Sequence, residues 1–215
     1  MAANQATETT DTTTAVVQRF YRFHAHVYDS TRWTILHGRR RAAACLNLRP
    51  DSQVLDVGCG TGLNFKQILA YLDPAQGGQL TGVDFSAAML RKAAKRIARH
   101  GWTNVELIED DATNMDLGRQ FDAAFFGYSL AVIPNWEAAL RCVRDHLVPD
   151  GTLVVLEFDQ FHHWGPLAPV FRGWLRLNHV ETRRPYADGI RRLFQRVEVH
   201  HWLGRYNFTA VGRKG

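Results

Sequence analysis

Gly58-Cys59-Gly60-Thr61-Gly62 is the stretch of this chain best suited to hold a reactive ligand. It follows Val54-Leu55-Asp56-Val57, a short apolar run that reads as a buried strand, and it leads into a segment of helical period. A strand that ends in glycines and feeds a helix lets a ligand approach bare backbone, and it offers unpaired N–H groups. The spacing is Gly-x-Gly-x-Gly after an aspartate, not the Gly-x-Gly-x-x-Gly of dinucleotide folds, which argues against a nicotinamide dehydrogenase. Asp84 closes the next apolar run, where a carboxylate can accept both hydroxyls of a ribose. Asp110-Asp111 follow a third run, where an adenine amino group would find an acceptor. Three acidic positions at three successive strand ends point to a nucleoside site rather than to packing.

The elements that must position these residues alternate. Residues 53–57, 79–83, 105–108, 121–126 and 152–158 read as strands. Residues 63–72 and 136–147 read as helices, and a basic helix runs from Ser86, a plausible N-cap, to residue 100. Pro149-Asp150-Gly151 reads as a turn, residues 187–193 as a short helix, and residues 196–202 and 206–211 as an antiparallel pair around Gly204. Such alternation predicts an α/β fold, doubly wound around a mostly parallel sheet. Residues 1–13 are Thr-rich and predict a disordered tail. Residues 14–48 predict a helical lid, with Val16, Phe20, Phe23 and Val27 on one stripe and Arg19 and Arg22 beside it. The main domain then covers 49–215, with an insert at 159–186 that is rich in His, Trp, Pro and Arg and has no clean period.

Composition narrows the function further. In 215 residues the formal charge is +5, and lysine is confined to Lys66, Lys92, Lys95 and Lys214, so arginine carries most of the basic charge. That balance suits a surface meeting phosphates or anionic lipids, although genome composition alone can produce it. Cys45, Cys59 and Cys142 are odd in number and lack metal-like spacing, which predicts neither a disulfide framework nor a zinc site. No His-x-Glu-x-His or carboxylate cluster suggests a metal. The first residues have no apolar core of a signal peptide, and no apolar run approaches the ~20 residues of a membrane span. The expectation is a cytoplasmic protein peripherally associated with the inner face of the membrane.

These residues resemble the class I S-adenosylmethionine-dependent methyltransferases over about residues 50–158. Asp56 to Gly62, with Asn64, look like their first motif; Asp84, Phe85 and Ser86 match the ribose-binding strand end. Met89 stands where an apolar residue flanks adenine, Asp111 and Ala112 match the adenine-amine contact, and Gly127 ends the fourth strand. The resemblance implies a seven-stranded sheet ending in an antiparallel hairpin. It also implies S-adenosylmethionine as methyl donor, S-adenosylhomocysteine as product, and no metal.

Outside the core, Tyr28-Asp29-Ser30-Thr31-Arg32-Trp33 and Gly38-Arg39 resemble the bacterial methyltransferases of betaine-lipid synthesis. Those enzymes methylate the amine of diacylglyceryl-homoserine three times. The run is similar more broadly to phospholipid N-methyltransferases acting on phosphatidylethanolamine. Asn178-His179-Val180-Glu181 and Gly204-Arg205-Tyr206-Asn207-Phe208 fit the same group. The resemblance implies a lipid-amine acceptor; a quinone or small-molecule acceptor and a non-catalytic cofactor binder stay open. Tyr128 is the first catalytic candidate, with Tyr21 and Tyr28 beside it and Glu157 as a further polar group. Trp33, Ser129, His179, Arg183 and Tyr186 are candidates for holding the acceptor, with Arg184 available to a carboxylate or phosphate. Partners are then the membrane lipid and an anionic membrane surface met by Arg19, Arg22, Arg39–Arg41 and the aromatics His162, His163, Trp164 and Trp174. Gly127-Tyr128-Ser129-Leu130 does not match the Pro-Pro-Tyr-type tetrad of nucleic-acid enzymes, so no nucleic acid is expected; oligomeric state stays open.

Overall fold

A computed structural model describes residues 37–159, 161, 169, 172–173, 175, 180–182, 184–202 and 205–215. Seven strands form one sheet: β1 Gln53–Val57, β2 Gln79–Asp84, β3 Val105–Glu109, β4 Phe121–Gly127, β5 Leu147–Phe158, β6 Gln195–Trp202 and β7 Asn207–Arg213. Their order is β3-β2-β1-β4-β5-β7-β6. The first five are parallel, and β7 runs antiparallel between β5 and β6. The α-helices among the described residues are α1 Arg39–Ala44, α2 Phe65–Leu69, α3 Ala87–His100, α4 Trp136–Asp145 and α5 Tyr186–Leu193, with short 3-10 turns at Pro74–Gln76 and Leu130–Val132. The chain therefore has the doubly wound α/β fold that the alternation predicts.

The central strands explain the register. Val54, Leu55, Val57, Ala123, Ala124, Phe125, Phe126 and Val154 are all buried, so β1, β4 and β5 are apolar on both faces, as strands covered by helices on two sides must be. Parallel pairing sets Val57 beside Val83 and Phe126, and Asp84 beside Glu109, so the C-terminal ends of β1, β2, β3 and β4 form one rim. That rim carries Asp56, Asp84 and the Asp110-Asp111 pair.

Two boundaries differ from the sequence pattern. The helix predicted at 63–72 is shortened to α2, because Gly62 takes a left-handed conformation (φ 76°) and holds the chain in turns before Phe65. Pro149-Asp150-Gly151 does not interrupt the fifth strand. β5 starts at Leu147, opposite Phe121, and the extra length is absorbed by a register shift between Phe121 and Ala123, with Asp150 at φ 59°. Helix α3 begins as predicted, with Ser86 Oγ accepting the Met89 N–H at 3.4 Å, and it ends on the left-handed Gly101. The tail, the stripe of residues 16–27 and most of the 159–186 insert lie outside the described residues, as do Tyr21, Tyr28, Trp33, His162, His163, Trp164, Trp174, His179 and Arg183. Among the described residues no helix is long and apolar enough to cross a membrane.

Candidate active site

The glycine loop is shaped by packing from one side and open on the other. Gly58, Gly60 and Gly62 all have positive φ, at 63°, 58° and 76°. A Cβ on Gly58 would lie 2.6 Å from that of Ser129, and one on Gly62 would lie 2.6 Å from the Phe65 ring. A Cβ on Gly60 would meet nothing within 4 Å. The outer glycines are fixed by the fold, whereas the middle one faces space. Cys59 donates its N–H to Val83 O at 3.0 Å, stitching the loop to β2, and its thiol is buried against the sheet. The Thr61 carbonyl accepts from Arg96 Nε at 2.8 Å, which ties the loop to α3.

Asp84 stands beside that space. Its Oδ2 accepts the Gly60 N–H at 2.8 Å and its Oδ1 the Ser86 N–H at 2.9 Å. A carboxylate offers about four lone-pair sites, so one acceptor direction remains on each oxygen, the number a vicinal diol needs. The side chain is largely buried, and desolvation raises its pKa to about 6 despite the two N–H bonds. Asp111 lies at the end of the adjoining strand, where its Oδ1 accepts from both the N–H and the hydroxyl of Thr113. Asp110 is joined to Asp84 by its own N–H, 3.3 Å from Asp84 O. Met89 and Ala112 are buried close by in sequence, and Phe85 is half-buried. The geometry brings Gly60, Ser86 and Asp110 to Asp84, a set of donors and acceptors that fits the edge of a nucleoside.

Beneath the loop is a second carboxylate. Asp56 is fully buried, with both oxygens 3.1 Å from Asn64 Nδ2. Burial raises its pKa to about 7, against the Asn64 bonds and the charge of Arg39. Asn64 Oδ1 in turn accepts from Arg39 Nε at 2.7 Å. The chain Arg39–Asn64–Asp56 thus sets a guanidinium at the edge of the loop, where a ligand carboxylate can be met. Gly127 has no room for a side chain here, since its Cβ would lie 2.6 Å from Asn64 Nδ2.

Tyr128 follows β4 in a left-handed conformation (φ 61°), uncommon for an aromatic residue and typical of strained functional positions. Its hydroxyl donates to His37 O at 2.6 Å and accepts from Asn207 Nδ2 at 2.8 Å. Burial pushes the phenol well above its ordinary range. The Tyr128 proton is thus directed at His37 O, and the ring is the part that faces other groups. The Arg39 guanidinium carbon lies 5.4 Å from that ring's centroid, and Phe158 is 4.7 Å away. Phe161 and Tyr206 extend the aromatic cluster around Phe158.

Other candidates are placed in supporting roles. Ser129 is buried and donates to Val57 O at 2.6 Å, bracing the end of β1 rather than reaching for an acceptor. Glu157 is buried and accepts the N–H groups of Ala131 and Phe158. Tyr186 is buried, its hydroxyl donates to Glu181 O at 2.6 Å and its ring packs edge-on to Trp136. Arg184 donates to Ile133 O at 2.6 Å. Sequence reading missed Asn207, Phe158 and the bond from Arg39 to Asn64. Only their position at strand ends or beside Gly38 could have signalled them. Among the described residues no three His, Cys, Asp or Glu side chains gather as metal ligands would.

Residues 55–153 match the family described as methyltransferase domain. A demethylmenaquinone methyltransferase of Staphylococcus aureus (strain JH9) is 29% identical over 178 residues, covering 82% of this chain and 68% of its own length. A SAM-dependent methyltransferase from Aquifex aeolicus superposes with a TM-score of 0.68 at 15% identity, covering 88% of this chain and 96% of that one. A Haemonchus contortus phosphoethanolamine N-methyltransferase 2, solved with phosphomonomethylethanolamine and S-adenosylhomocysteine, superposes with a TM-score of 0.62 at 21% identity. It covers 76% of this chain, which spans 38% of it.

Proposed function

We propose that this chain is a class I S-adenosylmethionine-dependent methyltransferase, as the match of residues 55–153 to the methyltransferase-domain family supports, and that it methylates the amine headgroup of a membrane lipid. The preferred acceptor is diacylglyceryl-homoserine, methylated in succession to a betaine lipid; phosphatidylethanolamine is the alternative amine. S-adenosylmethionine, when bound, supplies an electrophilic methyl group that a neutral amine accepts.

The chain's own residues divide the work. Asp84 holds the ribose diol, and the open backbone at Gly60 lets the nucleoside lie against the loop. Asp111 and Ala112 receive the adenine edge, with Met89 and Phe85 at its flank. Arg39, positioned by Asn64, anchors the amino-acid carboxylate. Tyr128 and Phe158 present rings to the cationic groups on either side of the transfer, where cation–π attraction is worth ~0.5–2 kcal/mol. Alignment and water exclusion then do most of the catalysis.

The observation that favours a nitrogen acceptor is Asn207. Its Nδ2 is spent on Tyr128 Oη and His37 O, while among the described residues its buried Oδ1 finds no donor. A buried acceptor left unmade costs about 1–3 kcal/mol, which an incoming ammonium or amine N–H offsets and a quinone ring carbon does not. The test is mass spectrometry of total lipids from a host expressing the chain, with and without an enzyme that makes diacylglyceryl-homoserine. Trimethylated homoserine lipid only in the second culture is the expected result. Methylated phosphatidylethanolamine in the first supports the alternative amine.

A second reading, methylation of a quinone ring, is favoured by the name of the Staphylococcus relative. The same extracts test it: quinones heavier by one methyl group, with unaltered amine lipids, would replace the amine proposal.

A further inference from the structure

A second cleft opens outside the nucleoside rim, between the start of α1, the first turn of α2 and the C-terminal half of α3. It has a volume of about 360 Å³, within the range of pockets that take small ligands. Its walls carry Arg39, Arg40, Lys66 and Arg96, with His100 and Trp102 at one end, and among the described residues no Asp or Glu lines it. His100 and Trp102 stack with ring centroids 4.6 Å apart, giving that end a flat apolar wall.

Two of these cations are engaged with the site already described, since Arg39 bonds Asn64 and Arg96 bonds the Thr61 carbonyl. Arg40 and Lys66 have no such task. Both are exposed, and among the described residues neither side chain makes a hydrogen bond or an ion pair. Four like charges around one cleft repel each other, and an anion seated among them removes that cost while receiving charge-assisted bonds. Guanidinium groups suit the flat, multiply accepting face of a phosphate, and a lysine adds a point charge.

We propose that this cleft binds a phosphate ester, with Arg40 and Lys66 as its principal contacts. The cleft shares Arg39 and Gly62 with the cofactor side, but its two principal contacts lie outside the methyl-transfer machinery, and the proposal does not depend on which acceptor is methylated. Through Arg39 and Asn64 it adjoins the buried Asp56. The phosphate belongs either to an anionic phospholipid, which would seat the protein on its membrane, or to a soluble ester.

The experiment uses the purified full chain and a double variant, Arg40→Gln/Lys66→Gln. Co-sedimentation with phosphatidylglycerol-containing vesicles, against pure phosphatidylcholine vesicles, reads the lipid source. Calorimetry with inorganic phosphate reads the soluble one. For a lipid phosphate, the double variant binds the anionic vesicles roughly 30-fold more weakly, the worth of two basic side chains near such a surface. The charge-retaining Arg40→Lys/Lys66→Arg variant stays near the unmodified chain, and S-adenosylhomocysteine affinity is unchanged in both variants. Phosphate heat that vanishes in the glutamine variant, with vesicles ignored throughout, assigns the same cleft to a soluble ester. An unmodified chain that binds neither, or a glutamine variant that binds both undiminished, overturns the proposal. A chain that methylates no lipid yet loses phosphate binding in the glutamine variant overturns only the lipid-acceptor reading.

Discussion

Asp84 and Asp56 are two carboxylates of one rim with different exposure to ligand and the same response to burial. Asp84 is the one with acceptor capacity left over, so on the proposed cofactor reading Asp84→Ala leaves both ribose hydroxyls unpaired as well as the Gly60 and Ser86 N–H groups. At ~1.5–3 kcal/mol for each bond to a charged group, two lost bonds weaken cofactor affinity by at least about 100-fold. Titration calorimetry with S-adenosylhomocysteine checks this, and an unchanged affinity would remove Asp84 from the site. The carboxyl titrates near 6 in the folded chain because of desolvation. The ribose bonds need the ionised form, so affinity rises as pH increases through about 6 and flattens above it. Without ligand the sign is opposite. A carboxyl whose folded pKa is raised binds its proton more tightly folded than unfolded, so its contribution to stability is lost between the ordinary value near 4 and the raised one. Asp56, at about 7, extends that window upward. The identities of both aspartates were readable from motif spacing. Their burial was not, because it depends on strands that meet only in the folded sheet.

At the scale of elements, the loop and the helix pair α4–α5 pose the same steric problem in two places. Gly58→Ala puts a methyl group 2.6 Å from Ser129 Cβ at a positive φ, so the loop must move and cofactor affinity falls with it. Gly189→Ala puts a methyl group 2.4 Å from the Trp136 ring, where α5 crosses α4. Overpacking of that kind costs about 1–3 kcal/mol. The expected contrast is loss of S-adenosylhomocysteine binding in Gly58→Ala and a lowered melting temperature with near-normal binding in Gly189→Ala. Calorimetry and thermal melts on both proteins decide it, and equal binding losses would mean that α5 is coupled to the rim. The strands were legible because their apolar runs are short and bounded by glycines. The loop was legible for the same reason. The early turn before α2 and the bulged start of β5 were not, since Gly62 and Asp150 reveal their left-handed backbone only in the folded chain. The α4–α5 contact was likewise unreadable, because Gly189 sits inside a helical pattern with no partner marked in the sequence.

Across the whole molecule, Asn207 joins segments that are far apart in the chain. It begins β7, donates to the carbonyl of His37 at 3.2 Å across 170 positions, and donates to Tyr128 at 2.8 Å across 79. Tyr128 closes the triangle by donating to the same carbonyl. The residues that lead into α1 are therefore tied to the last strand and to the end of β4 through one amide and one phenol. No local pattern in the sequence announces such a tie, which is why Asn207 stood in the resemblance run of residues 204–208 without a role of its own. Asn207→Leu keeps comparable bulk but removes both donors, leaving the carbonyl with Tyr128 alone. If the tie holds the N-terminal flank over the rim, trypsin cuts the Arg39–Arg41 stretch about tenfold faster in the variant, because cleavage there follows local opening. Methyl transfer to the acceptor falls in parallel, while S-adenosylhomocysteine affinity changes far less than in Asp84→Ala. Transfer that falls with no change in cleavage would instead assign Asn207 to direct contact with the acceptor through its orphaned Oδ1. Unaltered transfer and unaltered cleavage would leave the amide as packing, and the case for a nitrogen acceptor would lose its main support.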